Sequence, residues 1–242
     1  MQNRTGFLFH LLLWLCLLWL GCVREEVASD LEAPPPPQFI PRSPDTSLTE
    51  QGVDAVPEGD YIYVVWQPSP ANDLAGYRLY RQAEEGLERT LINDGEELEY
   101  LDRDPQLAPD PQTGLSQGFY YWVSAYDFSG NESALSTECY YRLMPKPALF
   151  PPVIQGAGVT ISWSYAEPAL SQVNHFVIRL FEPVNEQWNP IWIIEYELFD
   201  PLSVNYPYPL AVGTYRIVVD AIGASAAELP MGSEASIDFI VP

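Results

Sequence analysis

One lysine, Lys146, stands in 242 residues, and the basic total of eleven faces thirty-three carboxylates, for a formal charge of −22. A chain so short of cations lacks the phosphate-neutralising surface that nucleic-acid binding requires, so no nucleic-acid partner is expected. Histidine is almost as scarce. Beyond the N-terminal apolar run only His175 remains, and one imidazole without a neighbouring cysteine cannot build a transition-metal site. HExxH, CxxC, GxSxG and phosphate-cradling glycine patterns are all missing, which leaves metal hydrolysis, serine hydrolysis and nucleotide chemistry without a motif. No catalytic residue, metal ligand or cofactor is therefore expected, and the chain is not read as an enzyme. What the sequence has is apolar and aromatic residues, at 47% and 13%, enough to bury a sizeable core.

The N-terminus carries Arg4, then an apolar run from Phe7 to Leu20 interrupted only by His10, then Gly21 and Cys22. A sparse positive start, a short apolar stretch and a small residue before a candidate cleavage point make a secretory signal, and the run falls short of the ~20 residues an ordinary spanning helix needs. The segment Leu18-Trp19-Leu20-Gly21-Cys22 resembles the lipobox of bacterial lipoproteins, departing from it at Trp19, where leucine is usual. The resemblance implies cleavage before Cys22, a covalent lipid on that residue and attachment to a membrane through its acyl chains. By the sorting rule of some Gram-negative bacteria, Val23 in place of aspartate implies delivery to the outer membrane. With Cys16 removed and Cys22 acylated, only Cys139 remains. A disulfide needs two, so Cys139 is read as a small apolar residue of the core.

From Val23 to about Thr46 the chain is acidic and then proline-rich, with Pro34-Pro35-Pro36-Pro37 followed by Pro41 and Pro44. Such a run favours extended polyproline conformations, so residues 22–46 are read as a tether between lipid and folded protein. Beyond it the sequence repeats. Ile62, Val64 and Trp66 alternate as apolar positions, as do Val159, Ile161 and Trp163. Tyr77 and Leu79 are matched by Phe176, Ile178 and Leu180, and Phe119, Tyr121, Val123 and Ala125 by Tyr215, Ile217, Val219 and Ala221. Trp66 to Ala125 spans 59 residues and Trp163 to Ala221 spans 58. Period-two alternation, turn residues between strands and a repeat near 100 residues predict two antiparallel β-sandwiches in tandem.

The first repeat resembles the fibronectin type III family in Val64-Val65-Trp66, in Asn72-Asp73-Leu74-Ala75-Gly76-Tyr77-Arg78-Leu79-Tyr80-Arg81, and in Val123-Ser124-Ala125-Tyr126-Asp127-Phe128-Ser129-Gly130-Asn131-Glu132-Ser133. The second keeps Trp163, and Leu210-Ala211-Val212-Gly213-Thr214-Tyr215 resembles the turn and tyrosine that open the family's F strand. The resemblance implies an all-β chain of two tandem immunoglobulin-like (fibronectin type III) antiparallel β-sandwiches after a signal peptide and a proline-rich tether. Residues 1–21 form the signal peptide, 22–46 the lipidated cysteine and tether, 47–143 the first sandwich, and 144–242 a divergent second one. It further implies that Trp66 and Trp163 lie between sheets, and that the Tyr215 hydroxyl bonds back to the chain at the corner. Phe119 has no hydroxyl, so the first corner must do without that bond or replace it through Tyr120. Asp127 and Glu132 fall on the family's turn, where an aspartate bonds neighbouring amides. Asp94, Glu96, Glu97 and Glu99 read as a solvated loop and strand edge.

In the second repeat, Trp188 and Trp192, and later Tyr206 and Tyr208, set large aromatics beside turn residues in a stretch of few charges. These four are the candidate interaction residues, because exposed aromatics anchor partners. The expected function is that of a lipid-anchored cell-envelope protein displaying two sandwiches for recognition of a protein partner or for scaffolding. The alternative is a carbohydrate-binding accessory protein, with a glycan as partner, supporting a separate enzyme.

Overall fold

The computed structural model describes residues 31–40, 52–110, 112–114, 116–156, 158–197, 201–224 and 229–242. Residues 1–21, read as a signal peptide, and Cys22 lie outside the described residues. The chain is all-β. In the first repeat the strands are β1 (Gln38–Phe39), β2 (Val53–Ala55), β3 (Ile62–Gln67), β4 (Leu74–Ala83), β5 (Thr90–Gly95), β6 (Glu99–Asp102), β7 (Phe119–Asp127) and β8 (Cys139–Leu143). The second repeat supplies β9 (Ala148–Leu149), β10 (Val153–Gln155), β11 (Gly158–Ser164), β12 (Val173–Val184), β13 (Gln187–Tyr196), β14 (Ser203–Tyr206), β15 (Gly213–Ala224) and β16 (Pro230–Val241). Among the described residues helix is limited to one turn, α1 (Glu167–Leu170), and a 3₁₀ turn at Pro105–Leu107.

Each repeat forms a sandwich around its own core, and the alternating residues point where period two sends them. In β3 the buried positions are Ile62, Val64 and Trp66; in β11 they are Val159, Ile161 and Trp163. Trp66, 1% exposed, meets Tyr77 edge-to-face at 6.0 Å. Trp163, 3% exposed, meets Phe176 at 5.3 Å and Tyr196 at 5.4 Å in the same way. Both tryptophans thus fill the space between sheets. Short turns close the strands: β12 and β13 are joined by Asn185 and Glu186, both at positive φ (51° and 65°), the conformation of a two-residue hairpin whose twist matches the strands.

One sheet of the first sandwich is built on β3, which pairs with β1, β2 and β6; one sheet of the second is built on β11, which pairs with β9, β10 and β14. The remaining strands form a single eight-stranded sheet in the order β13-β12-β15-β16-β8-β7-β4-β5. The join is β16 against β8, parallel, with Met231 opposite Arg142 and Gly232 opposite Leu143. The chain beyond β8 stays on the same track. Met144 N donates to Gly232 O at 2.8 Å, Ser233 Oγ donates to Pro145 O at 2.6 Å, and Lys146 Nζ donates to Glu234 O at 2.7 Å and also to Val56 O. Separate packing of two sandwiches follows from the repeat, but the sheet itself runs through both, and residues 33–242 form one compact unit.

The proline-rich segment also departs from the expected tether. Pro34 and Pro37 are buried, β1 pairs with β3 through Gln38–Gln67 and Phe39–Trp66, and Ser69 Oγ donates to Pro35 O at 2.8 Å. Proline cannot donate to an interior ladder, but beside a sheet edge its ring packs and its carbonyl accepts. Of residues 22–46, the described part therefore docks on the first sandwich.

Candidate functional site

The four aromatics expected to form an interaction site share one sandwich but differ in exposure. Tyr208 is 61% exposed, whereas Tyr206 is only 7% exposed. β14 pairs Tyr206 with Val159 and turns its ring into the second core, so it is a packing residue rather than a contact residue. Trp192 packs against that core and meets Tyr206 edge-to-face at 5.5 Å, while Tyr208 meets Tyr206 at 5.6 Å. Trp188 lies elsewhere, half-buried beneath the Arg216 guanidinium at 4.4 Å from its ring centre. Arg216 is in turn held bidentate by Asp238, at 2.6 and 2.9 Å, and these bonds raise its pKa and lower that of Asp238. The exposed remainder is thus Tyr208, with the half-buried rims of Trp188 and Trp192.

A denser aromatic layer covers the outer face of the first sandwich, its Trp122 and Tyr140 only 8% and 5% exposed. β7 points Phe119, Tyr121, Val123 and Ala125 into the core, and its other phase is Tyr120, Trp122, Ser124 and Tyr126. Strand pairing lays these out in rows: Leu91–Tyr80–Trp122, Gln82–Tyr120–Tyr140 and Asp94–Arg78–Ser124. Tyr120 stacks on Trp122 at 6.0 Å and meets Tyr140 edge-to-face at 4.9 Å. Each tyrosine hydroxyl at the margin donates to a carboxylate: Tyr126 to Asp94 at 2.7 Å, Tyr80 to Glu132 at 2.9 Å and Tyr140 to Glu84 at 2.9 Å. Arg78 bridges Asp94 and Glu132 while lying 4.5 Å over the Tyr126 ring, and Arg142 binds Glu84. Burial opposes the charge on Glu132, but hydrogen bonds from Ser124, Tyr80 and Arg78 outweigh it and hold the carboxyl below its usual range. The signal for this surface lies in the strand itself: large rings in both phases of β7 contradict a plain solvent-facing side, which calls for polar residues.

Asp127 accepts from the Asn131 backbone and side-chain amides at 2.9 and 2.8 Å across a turn in which Gly130 has φ +88°, the local role expected of it. His175 pairs with Ile222 in β12. Cys139 packs against the first core, and burial pushes its thiol up to about 12, far from a reactive thiolate. Tyr215 OH donates to Ala211 O at 3.1 Å, the corner bond the resemblance implies. In the first sandwich the replacement does not come through Tyr120. Arg81 lies 4.6 Å over the Phe119 ring and binds Asp102 at 2.7 and 3.0 Å and Asp104 at 2.5 Å, and Tyr121 OH donates to Asp102 at 2.9 Å. Buried Asp102 needs these donors, and a hydroxyl on Phe119 is dispensable.

The second sandwich has a cleft of roughly 550 Å³ at one end, lined by Phe150, Trp163, Tyr165, Leu170 and Leu202, with Ser162, Ser164, Ser203 and Glu167 among its polar groups. The buried Trp163 indole N–H has no hydrogen-bond partner. Across the joining strand lies a buried ion cluster in which Arg179 Nη2 reaches Asp220 at 3.1 Å and Glu234 at 3.4 Å. Among the described residues no group of three His, Cys, Asp or Glu is placed to hold a metal, and no helix is long and apolar enough to cross a membrane.

No family model and no curated protein matches the chain. Similar solved structures include the FN1–FN3 domains of chicken CNTN1, at 16% identity over 86% of this chain and 68% of that one, with a TM-score of 0.38. A Fn3-like protein from Clostridium thermocellum is 20% identical over 45% of this chain and 92% of that one, with a TM-score of 0.32. A segment of two fibronectin type III domains from chicken tenascin is 13% identical over 78% and 97%, also with a TM-score of 0.32.

Proposed function

We propose that the chain is a lipid-anchored bacterial cell-envelope protein, acylated on Cys22 and held at the outer membrane, that displays two fibronectin type III-like sandwiches for protein recognition or scaffolding. The observation that carries the display role is the sheet shared by both repeats. Strand β16 on β8, with the Met144, Pro145 and Lys146 bonds that follow, makes one body of what the repeat alone would leave as beads on a string. Fixed spacing between two side-chain-rich faces suits a scaffold, because little orientational freedom is lost when a partner docks. The test is crosslinking in the native envelope followed by mass spectrometry, with Cys22→Ala as control. Crosslinks to a small, discrete set of proteins that vanish in Cys22→Ala support the reading. Crosslinks that track envelope protein abundance overturn it.

The cleft under Trp163 favours a second reading, that of a carbohydrate-binding accessory protein, since aromatic rings, hydroxyls and a carboxylate are the groups sugars meet. Glycan-array binding that disappears when Glu167 and Ser203 are replaced by Ala would establish it, and silence across the array would remove it.

A further inference from the structure

The geometry points to the outer face of the first sandwich, centred on Trp122, as a docking surface for a basic extended segment of a partner protein, whose arginines stack on the aromatic rows. This rests on the protein-recognition reading above and supplies the partner's chemistry. The centre is apolar: Tyr120, Trp122 and Tyr140 interlock, with Trp122 and Tyr140 only 8% and 5% exposed while Arg89 lies over the Trp122 ring, and in the adjoining connector and β5 Leu87 and Leu91 are 98% and 46% exposed. The connector between β4 and β5 borders it with Glu84, Glu85 and Glu88, the last two exposed. An apolar centre with a charged rim is the anatomy of a protein interface. Between residues 52 and 143 seventeen carboxylates face five arginines, and Arg78, Arg81 and Arg142 are already bound to carboxylates. Charge complementarity therefore selects a cationic partner.

The face already holds a guanidinium of its own. Arg89, an exposed residue at the end of the same connector, lies 4.0 Å over the Trp122 ring, close enough for cation–π attraction. Among the described residues it makes no ion pair that would compete with this contact. An incoming arginine finds the same ring together with the Glu84, Glu85 and Glu88 border, and displaces Arg89 into solvent. Arg89 is thus an intramolecular competitor for the position.

The test uses the full chain in detergent and a fluorescent peptide alternating arginine and threonine, at about 0.15 M salt, where the screening length is ~8 Å. The comparison peptide carries glutamate in place of arginine. Removing the competitor with Arg89→Ala is expected to tighten binding roughly two- to five-fold beyond Arg103→Ala, the size of an exposed cation–π contact. Arg103→Ala makes the same change in net charge away from Trp122, over the Tyr61 ring. Trp122→Leu is expected to weaken binding by at least the same factor, with Trp188→Leu unchanged. Equal effects of Arg89→Ala and Arg103→Ala, binding that survives Trp122→Leu, or no binding of the arginine peptide would each overturn the proposal. If Trp122→Leu fails to fold, the two arginine variants still decide. Discrete Cys22-dependent crosslinks that map to other surfaces would leave the recognition reading standing while this one falls.

Discussion

Lys146, the chain's only lysine, places its ammonium against the carbonyl of Glu234 at 2.7 Å and also against that of Val56, so one side chain ties the connector to both sandwiches. Burial lowers its pKa, against the pull of Asp60, Glu234, Glu58 and Asp220. Replacing it with methionine keeps the aliphatic stem and leaves two carbonyls without their donor. The expected loss is about 1–3 kcal/mol, read as a lower melting temperature, and partial uncoupling of the two halves.

Because the sheet is shared, unfolding should be a single transition. Trp66→Ala or Trp163→Ala removes the largest side chain of its core at ~3–5 kcal/mol, and in a coupled structure either change lowers the melting of both sandwiches. Calorimetry, together with the near-ultraviolet signal of the intact sandwich, checks this. Two resolved transitions, with only the mutated half shifted, would show that the β8–β16 join is too weak to couple them.

Acid should act on the first sandwich through Glu132. Its pKa is held below the usual 4.5, so the stabilisation it gives is complete above that value and is lost as pH falls through the folded pKa. Glu132→Gln is expected to cost on the order of 1 kcal/mol at pH 7, since three donors lose a charged acceptor at a partly exposed site. The gap between variant and parent should close as pH is lowered from 4.5. Urea melts across that range measure it, and a gap that widens in acid would contradict the assignment.

How legible all this was in the sequence differs from residue to residue. Period-two alternation placed the core side of β3, β7, β11, β12 and β15 on the correct phase, because a slip of one residue would expose every ring. The Tyr215 corner and the Asp127 turn were equally readable, since both are local in sequence. Three features were not. The β8–β16 join depends on two strands ~90 residues apart, and its hydrogen bonds are made by backbone that carries no sequence signature. Pro34 to Pro37 reads as free chain by composition, yet an adjacent sheet edge gives those rings somewhere to pack. Tyr206 and Trp188 look alike on paper as aromatics near turns, and only strand register sends one inward and lays the other under Arg216.

The two corners predict different sensitivities to the same chemical change. Tyr215→Phe removes a half-buried hydroxyl whose acceptor, Ala211 O, sits in a surface turn that water can reach, so the cost is about 1 kcal/mol. Tyr121→Phe removes a donor from Asp102, a carboxylate only 3% exposed, and the cost is expected at the upper end of about 1–3 kcal/mol. Denaturant midpoints of the two variants rank them, and Tyr215→Phe proving the costlier would place the critical corner in the second sandwich.

The β12–β13 hairpin offers a gain instead of a loss. Its turn places Asn185 at φ 51° and Glu186 at φ 65°, a left-handed pair that asparagine tolerates and glutamate does not, at about 1 kcal/mol or more for the strained residue. Glycine adopts positive φ without steric cost, though its unfolded state is freer, which returns part of the gain. Glu186→Gly is therefore expected to stabilise the chain by ~0.5–1 kcal/mol. It also takes one negative charge from a molecule that carries an excess of them, which acts in the same direction. Glu186→Gln, which removes the charge and keeps the strained side chain, separates the two causes: the gain should appear with glycine and be nearly absent with glutamine, and equal gains would assign the effect to charge and not to the backbone.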